Sequence, residues 1–380
     1  MKIVLTGGGS GGHFYPLIAV VEAIEKITLE KKLIEPVFYY TGPAPFDPPA
    51  LAEHDITYIP SSAGKLRRYV SILNITDVFR TVFGTMRATI QLFNIFPDVV
   101  FSTGGFASFP TMYAARLLGI PIVLYDADAV PGRVSLWSAP FVKWIALAHA
   151  EAAAAFPEKT RQKIARVGHP IRAEIEMPTK EGGHEFLKLS TDVPTLFFMG
   201  GSQGARALNE TILDALPSLV ERYNVIHQTG ADNLTEVSNI AHVVLKDSPY
   251  AERYRVFGLL NTLALRMAAG ITDLVISRAG SGTLFEIASW GIPAILVPIP
   301  RDIAHDQTEN AFSYARHGAC IVIEQANLAP HVLVSEIDRI MNDAAQLHTM
   351  HTAARAFARP DAARTIAQII IDTILEHTTP

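Results

Sequence analysis

Short apolar runs alternate with helical patterns along most of the chain. The runs at 3–6, 37–41, 98–102 and 122–125 are bounded by glycine, proline or aspartate, which is typical of buried parallel strands. The stretches between them are long enough for helices, for example at 16–27 and 110–118. This βαβ series predicts an α/β fold with a doubly wound sheet.

A polar stretch divides this series into two. Residues 171–194 contain proline and paired glycine without a sustained apolar period, which predicts an interdomain linker with one short helix. A second series begins at Thr195 and contains the runs TLFFM, YNVIHQ, AHVVLKD, DLVIS, PAILVP and ACIVIE. We therefore predict two Rossmann-like domains facing a cleft, with domain 1 at 1–170, the linker at 171–194 and domain 2 at 195–355.

The C-terminal residues 356–380 predict a helix that packs back toward the N-terminal domain. Ile366, Ile369, Ile370 and Ile374 recur there at helical spacing, which is typical of an amphipathic helix with one apolar face.

Charge and cysteine content narrow the function classes. The 380 residues have a net charge of -5, which disfavours a general nucleic-acid binder. The one cysteine rules out an internal disulfide framework and is typical of a reducing compartment. The first apolar run is too short for a signal peptide, and no stretch approaches the roughly 20 apolar residues of a transmembrane helix. The sequence thus predicts a soluble chain that can still lie against a membrane.

Four glycine-rich turns follow predicted strands and precede predicted helices. Two open the domains, GGGSGGH at 7–13 and GGSQGA at 200–205, and two lie further on, TGGF at 103–106 and AGSGT at 279–283. Glycine allows tight turns and close backbone approach, and a helix N-terminus offers free amides to an anion. The four turns together favour one diphosphate in each domain.

Residues 7–12 also match the dinucleotide pattern GxGxxG, which is a weak signal alone. A dehydrogenase needs an acid at the end of the second strand to bind the ribose, and here that strand ends in YYTG. In the second domain Glu286, near the start of a helix, is a candidate for binding ribose hydroxyls. Gln307 and Thr308 head the helix after the PIP segment, where a polar pair can bind sugar hydroxyls.

The motifs together resemble one family closely. GGGSGGH, STGGFAS, AVPGR, VGHPIR, GGSQGA, SRAGSGTLFEIASWGIPAILVPIP and DQTENA occur in the order seen in the MurG family, and the resemblance runs essentially from end to end. It implies a GT-B glycosyltransferase fold that needs no cofactor and uses UDP-GlcNAc as substrate. The implied reaction is inverting transfer of N-acetylglucosamine to the C4 hydroxyl of MurNAc in undecaprenyl-pyrophosphoryl-MurNAc-pentapeptide (lipid I). The implied location is the bacterial cytoplasm, on the inner face of the cell membrane.

The resemblance assigns the donor site to the second domain. Glu286 matches the acid that binds the ribose, and Gln307, with Thr308 beside it, matches a glutamine that binds the donor sugar. Leu260 falls where backbone groups meet the uracil. The diphosphate contacts that it implies are Arg172, Ser202, Ser281, Gly282 and Thr283.

The resemblance assigns the acceptor to the first domain. His13 matches the proposed general base, and histidine suits that role because it titrates near neutral pH. The residues at the implied acceptor diphosphate site are Gly9, Ser10, Gly11, Gly12, Gly104 and Gly105.

One segment departs from the family pattern. The family commonly has HEQN where this chain has Tyr125-Asp126-Ala127-Asp128, so Asp128 falls at a position that touches the donor sugar and is the alternative base. The segment also spells D-x-D, a metal-nucleotide signature of the other large glycosyltransferase fold. It follows a strand of the acceptor domain, away from the predicted nucleotide diphosphate, so we predict no metal site.

Basic and apolar residues are interleaved over 65–90. This pattern favours docking on an anionic membrane surface, and the alternative is an ordinary helix whose apolar face belongs to the core. The candidate membrane residues are Lys65, Arg67, Arg68, Phe79, Arg80, Phe83 and Arg87.

Two other functions remain open from the sequence. One is another GT-B enzyme acting on UDP-sugars, such as a glycolipid glycosyltransferase or a UDP-GlcNAc 2-epimerase. The other is a non-catalytic UDP-sugar-binding protein of the same fold, which the departure at Tyr125–Asp128 keeps in view.

Overall fold

The computed structural model describes residues 1–61, 63–64, 72–201, 205–301 and 305–378. The chain divides into two compact units. Unit 1 comprises Met1–Arg172 and Arg359–Pro380, and unit 2 comprises Ala173–Ala358. Each unit contains one parallel sheet.

Unit 1 contains a seven-stranded parallel sheet in the order β3-β2-β1-β4-β5-β6-β7. Its central strands are buried on both faces, which is why they consist of continuous apolar runs. The strands are β1 (Lys2–Thr6), β2 (Val37–Gly42), β3 (Thr57–Pro60), β4 (Val99–Ser102), β5 (Ile122–Asp126), β6 (Trp144–Leu147) and β7 (Ile164–Arg166). The helices are α1 (Gly11–Lys31), α2 (Pro48–Glu53), α3 (Ile72–Ile95), α4 (Phe109–Leu117) and α5 (Arg133–Ser138), with α15 (Ala362–Thr378) from the end of the chain.

Helix α15 packs on unit 1. Ile366, Ile370 and Ile374 are buried in the same core cluster as Ile3 and Ile24. At the rim of this contact, Arg364 forms an ion pair with Glu30 (Nη2 to Oε2, 2.7 Å), and Lys31 donates to the Gln368 side chain at 2.8 Å. The last helix thereby completes the core of the unit that begins the chain.

Unit 2 contains a six-stranded parallel sheet in the order β10-β9-β8-β11-β12-β13. The strands are β8 (Thr195–Met199), β9 (Asn224–Gln228), β10 (Tyr254–Phe257), β11 (Leu274–Ser277), β12 (Ala294–Leu296) and β13 (Cys320–Val322). The helices are α6 (Ala173–Glu176), α7 (Gly183–Leu187), α8 (Arg206–Val220), α9 (Leu234–Val244), α10 (Thr262–Ile271), α11 (Ser281–Trp290), α12 (His305–Arg316), α13 (Pro330–Met341) and α14 (Ala344–Phe357).

Two segments differ from the pattern that the sequence suggested. The AHVVLKD run at 241–247 is the end of α9 and not a strand, with Val243 exposed to solvent. Most of the stretch at 171–194 belongs to unit 2, because α6 and α7 pack on α10 and α11. The Trp290 indole donates to the carbonyl of Ile175 at 2.8 Å. Long-range contacts of this kind leave no periodic signal in a short polar stretch.

A buried polar network joins β9 to α8 in unit 2. Asn209 Nδ2 donates to the carbonyl of Thr229 at 3.1 Å, so its Oδ1 accepts from His227 Nε2 at 3.1 Å. His227 Nδ1 then accepts from the Tyr254 hydroxyl at 2.9 Å. This pattern requires a neutral imidazole with its proton on Nε2. Burial accordingly lowers the pKa of His227 to about 3.

The lowered pKa of His227 predicts loss of stability in acid. His227 takes up a proton near pH 6.5 in the unfolded chain and only near pH 3 in the folded chain. Its contribution to the free energy of unfolding is therefore complete above pH 6.5 and decreases as the pH falls below 6.5. The slope is about 1.4 kcal/mol per pH unit. Thermal unfolding between pH 7 and 5 should depend less on pH in His227→Gln than in the parent. The exposed His242→Gln is the control, and an equal pH dependence in parent and His227→Gln would contradict the assignment.

Candidate functional site

The glycine turns of unit 1 lie where the strand order of its sheet reverses. β1 pairs with β2 on one side and with β4 on the other, and Thr6 is in register with Ser102. The turn Gly7–Ser10 therefore leaves the sheet at the same level as the turn Thr103–Gly105. In doubly wound sheets, ligands bind in the crevice at this switch point, outside the carboxyl ends of the strands.

His13, in the first turn of α1, is held by two reciprocal hydrogen bonds to Thr103. His13 Nδ1 lies 2.9 Å from the Thr103 carbonyl oxygen, and the Thr103 hydroxyl donates to the His13 carbonyl at 2.8 Å. Because a carbonyl oxygen only accepts, Nδ1 carries the proton in this contact. In the neutral ring Nε2 then keeps its lone pair, which is the state that a general base requires.

The glycines around His13 make room for its ring. A Cβ on Gly8 would lie 2.5 Å from His13 Cδ2, and a Cβ on Gly105 would lie 3.3 Å from Nε2. Gly104 and Gly105 also adopt φ of +74° and +79°, in the left-handed region that side chains disfavour. Nε2 is thus directed toward the glycine turns, where the resemblance implies the acceptor diphosphate.

The outer part of the first turn is more open. A Cβ on Gly9 would contact Pro43, one on Gly11 would contact Phe46 and Tyr15, and one on Gly12 meets no atom within 4 Å. Ser10 is the N-cap of α1 without a side-chain capping hydrogen bond, and the first turn of α1 contains no acidic residue. An anion can therefore approach the backbone amides of this turn.

Asp126 organises the loop after β5. Its Oδ1 accepts the N–H of Asp128 and its Oδ2 accepts the N–H of Gly132, both at 3.2 Å. Its carboxylate oxygens therefore satisfy backbone donors of the loop. Asp128 itself is half-buried. Among the described residues, no group of three or more His, Cys, Asp or Glu side chains is arranged to hold a metal ion.

Tyr125, at the departure from the family pattern, is paired with His169. The Tyr125 hydroxyl and His169 Nδ1 are hydrogen-bonded at 2.7 Å, and both side chains are buried. Burial, together with the charges of the nearby His149 and His13, lowers the pKa of His169 to about 3. The pair joins the end of β5 to the chain after β7, which sequence spacing did not predict.

Arg172 lies in unit 1, close to the first glycine turn. Its Cζ is 4.4 Å from the centre of the Tyr15 ring, which is within the range of a cation–π contact. Its Nε is buried and has no hydrogen-bond partner among the described residues. The resemblance implied that Arg172 lies near the donor diphosphate, and that role stays a prediction.

Unit 2 repeats the switch-point arrangement. β8 pairs with β9 and β11, and Met199 is in register with Ser277. The Ser277 hydroxyl donates to the Met199 carbonyl at 3.2 Å, which joins the two strand ends. The turn after β8 contains Ser202, which lies outside the described residues. The turn after β11 leads into α11.

The first turn of α11 contains Ser281, Gly282 and Thr283. The N-cap is Gly280, and the turn has no acidic residue and no side-chain cap, so its amides are suited to an anion. Ser281 is buried, and Gly282 and Thr283 are half-buried. Glu286 is half-buried on the next turn of this helix.

Gln307 on α12 lies beside the start of α11. Its Oε1 accepts the N–H of Ile299 at 3.2 Å, and its Nε2 is 3.9 Å from the position of a Cβ on Gly280. Thr308 is buried. Leu260 donates its N–H to Gln228 Oε1 at 3.2 Å.

Arg278 is a candidate that the sequence reasoning missed. It lies in the turn between β11 and α11, half-buried, and donates from Nη1 to the Val297 carbonyl at 3.0 Å. Its Nε is buried without a hydrogen-bond partner among the described residues. An arginine inside the SRAG motif, one residue before the glycine turn, was the available signal.

The described part of the basic segment is helix α3. Lys65, Arg67 and Arg68 lie outside the described residues, whereas Phe79 and Phe83 are 71% and 74% exposed. Arg80 and Arg87 are also exposed. The opposite side of the helix is buried, with Ala88 and Leu92 in the core. In the described part of the chain, no helix is long and apolar enough to span a membrane.

Two family models match the chain. The glycosyltransferase family 28 N-terminal domain matches residues 3–147, and the glycosyltransferase family 28 C-terminal domain matches residues 195–366. These matches cover most of both sheets.

Curated relatives and solved structures match over nearly the whole chain. The UDP-N-acetylglucosamine–N-acetylmuramyl-(pentapeptide) pyrophosphoryl-undecaprenol N-acetylglucosamine transferase of Halothermothrix orenii is 35% identical over 376 residues, which is 98% of this chain and 99% of the relative. The Treponema denticola protein of the same name is 33% identical over 346 residues, 87% of this chain and 86% of the relative. The crystal structure of Acinetobacter baumannii MurG has a TM-score of 0.74 at 25% identity and covers 98% of this chain and 99% of that one. The S. aureus MnaA–UDP structure has a TM-score of 0.71 at 15% identity, and the match covers 100% of this chain and 98% of the MnaA chain. This likeness shows a shared fold.

Proposed function

The chain belongs to the MurG family within glycosyltransferase family 28, and we infer that it transfers N-acetylglucosamine from UDP-GlcNAc to lipid I. The acceptor group is the C4 hydroxyl of MurNAc, and the anomeric centre is inverted. One observation carries this assignment: the relative at 35% identity aligns over 98% of this chain. The UDP-GlcNAc 2-epimerases among the structural neighbours, at about 15% identity, share only the fold.

We propose that unit 2 binds the donor at the switch point between β8 and β11. The amides of Ser281, Gly282 and Thr283 and the side chain of Ser202 are assigned to the diphosphate, and Glu286 to the ribose hydroxyls. The acid-free first turn of α11 supports the diphosphate assignment, because a helix N-terminus stabilises negative charge.

The remaining donor contacts are assigned to the sugar and the base. Gln307 supports binding of the sugar because its amide lies beside Gly280, and Thr308 adjoins it on α12. Leu260 is assigned to the uracil, which would meet its carbonyl because the N–H is engaged by Gln228. Asp128 in unit 1 is the further candidate for the donor sugar.

The leaving UDP needs stabilisation as its bond to the sugar breaks. Amides that point at the developing charge supply this without reorganisation during the reaction, and the first turn of α11 offers such amides. Because Asp126 already accepts two backbone N–H groups, we do not assign it to a metal.

We propose that His13 is the general base and that the acceptor diphosphate binds at Gly9–Gly12 and Gly104–Gly105. The orientation of His13 by Thr103 supports this role, since Nδ1 is the donor and Nε2 remains to take the proton of the sugar hydroxyl. Asp128 remains the alternative base.

We propose that α3 docks on the anionic surface of the membrane that holds the acceptor lipid. Five apolar side chains recur at helical spacing on its exposed side, and we call them the α3 stripe: Phe79, Phe83, Met86, Ile90 and Phe93. Contiguous exposed apolar surface of this kind marks an interaction site. Arg80 and Arg87 flank the stripe on the same helix.

The composition of this face supports a lipid surface as its partner. Basic side chains are attracted to anionic headgroups by about 1 kcal/mol each, an attraction that salt screens. Aromatic rings add burial that salt does not weaken. The two contributions can therefore be separated by ionic strength.

The first test of this function is transfer itself, with His13→Ala as the variant. The parent should transfer labelled N-acetylglucosamine from UDP-GlcNAc to a short-chain lipid I analogue. His13→Ala should lower kcat by about 10²–10⁴, the usual contribution of a general base, and leave the affinity for UDP unchanged.

A control isolates the role of the ring. His184→Ala, in unit 2, should behave like the parent. Absence of sugar transfer by the parent would contradict the proposed function. Full activity in His13→Ala would exclude His13 as the base and leave Asp128 as the candidate.

Vesicle binding tests the membrane assignment. Phe79→Ser with Phe83→Ser should weaken binding to phosphatidylglycerol vesicles at both low and high salt, because it removes apolar burial that salt does not screen. Arg80→Ser with Arg87→Ser should weaken binding at low salt only, because screening already removes that attraction at high salt.

The matched control is Val243→Ser, which removes an equally exposed apolar side chain from unit 2. It should bind vesicles like the parent. Parent-like binding by the double phenylalanine variant would show that the docking face lies elsewhere.

A further inference from the structure

We propose that Phe46, in the loop between β2 and α2, binds the first isoprene units of the acceptor's polyprenyl chain. The inference rests on the proposed function and deepens it, since it names the part of the acceptor that this side chain meets. The other residues assigned to the acceptor serve its sugar hydroxyl and its diphosphate.

The loop that follows β2 lies against the first glycine turn. A Cβ on Gly9 would lie 3.3 Å from Pro43 Cγ. A Cβ on Gly11 would lie 3.2 Å from Phe46 Cε1, so the tip of the Phe46 ring is next to the backbone at the start of α1. The acceptor diphosphate is assigned to this backbone. The ring is 38% exposed, so part of it packs on the protein and the rest is open to a ligand.

The contacts of the loop hold Phe46 in place. Its ring packs edge-on against Tyr15 with centres 5.7 Å apart, and the Tyr15 hydroxyl donates to Asp47 Oδ2 at 3.2 Å. Asp47 Oδ1 also accepts the N–H of Ala50 in α2 at 3.4 Å. Prolines at 43, 45, 48 and 49 restrict the backbone of the loop before a ligand binds. A side chain that is already restricted in this way loses little conformational entropy on binding.

The chemistry of this surface matches hydrocarbon better than sugar. The acceptor diphosphate carries MurNAc on one phosphate and the polyprenyl chain on the other. The side chains of Pro43 and Phe46 have no hydrogen-bonding groups, so they cannot satisfy the hydroxyl and amide groups of a sugar. They can bury the hydrocarbon of an isoprene unit, which is stabilising.

The orientation of His13 indicates which side of the turn the sugar occupies. A Cβ on Gly8 or on Gly105 would lie 3.3 Å from His13 Nε2, the atom assigned to the C4 hydroxyl of MurNAc. The sugar therefore lies on the side of these two glycines, with its C1 and the diphosphate directed away from Nε2. Gly11 is further along the turn and borders Phe46 instead. The chain on the other phosphate thus leaves the turn beside Phe46.

The test uses two soluble lipid I analogues, without vesicles, that differ only beyond the diphosphate: one carries a geranyl chain and the other a methyl group. The parent should have the lower KM for the geranyl analogue. Phe46→Ala should raise that KM by about threefold to tenfold, as expected for loss of partial burial on an aromatic ring. KM for the methyl analogue and for UDP-GlcNAc should stay within about twofold of the parent. Phe46→Leu should keep most of the preference, because it retains an apolar side chain in the loop.

The control is Phe186→Ala, which removes an exposed aromatic ring from unit 2 and should behave like the parent. Absence of transfer by the parent would refute the proposed function separately, and calorimetric binding of both analogues without donor would still compare the parent with Phe46→Ala. An equal loss for both analogues would overturn the inference, because the ring would then serve the sugar or the diphosphate. A rise in KM for UDP-GlcNAc alone would also overturn it, as would parent-like values in Phe46→Ala or a parent without preference for the geranyl analogue.

Discussion

The pairing of β1 with β4 and of β8 with β11 is the constraint on which both candidate sites depend. In each sheet the first strand of the unit pairs with a neighbour on each side. From these two neighbours the strand order continues toward opposite edges of the sheet. The register of Thr6 with Ser102 and of Met199 with Ser277 brings the ends of these strands to one level. In each unit the turns that follow these strands face one crevice. The turns of unit 1 are crowded at Gly8, Gly104 and Gly105, where a Cβ would lie 2.5 Å, 3.3 Å and 3.3 Å from a neighbouring side chain. The need for glycine at these three positions follows from that crowding.

Hydrogen bonds within the unit then decide what each polar residue near a crevice can do. Thr103 fixes the tautomer of His13 and leaves Nε2 toward the turns. Both carboxylate oxygens of Asp126 accept backbone N–H groups of its own loop. The D-x-D sequence is therefore used, at Asp126, to hold the loop. Tyr125 is committed to His169 in the interior. Arg172 and Arg278, by contrast, each retain a buried Nε without a hydrogen-bond partner in the described residues, which is unfavourable for a buried donor.

The sequence predicted the α/β class because continuous apolar runs followed by glycine turns are characteristic of buried parallel strands. The membership of the family also followed from it, since motifs such as GGSQGA and SRAGSG combine residue identity with order. AHVVLKD was misjudged because a helix end with exposed valines has the same short apolar run as a strand. The short helices at 173–187 were missed because their stability comes from packing on α10 and α11 and not from a pattern of their own.

The role of a site residue was predictable from the sequence where that role depends on the residue type alone. It was less predictable where the role depends on a contact with a residue distant in sequence. Glycine turns and the helix-start positions at 281–283 could be identified in sequence, since their role follows from the backbone. The pairs Tyr125–His169 and Tyr15–Arg172 join residues more than 40 positions apart, and spacing does not reveal them. Arg278 lies inside the SRAG motif, but only the structure shows that its Nε is buried without a hydrogen-bond partner among the described residues.

We propose that the nucleotide binds at the switch point of unit 2 and not at that of unit 1. Backbone hydrogen exchange with and without saturating UDP measures this directly. We expect slower exchange at 278–286 and 307–310 and unchanged exchange at 7–13. Glu286→Ala should need about tenfold to a hundredfold more UDP for the same protection, because charge-assisted hydrogen bonds to the ribose are lost. Protection at 7–13, with unchanged exchange in α11, would contradict it.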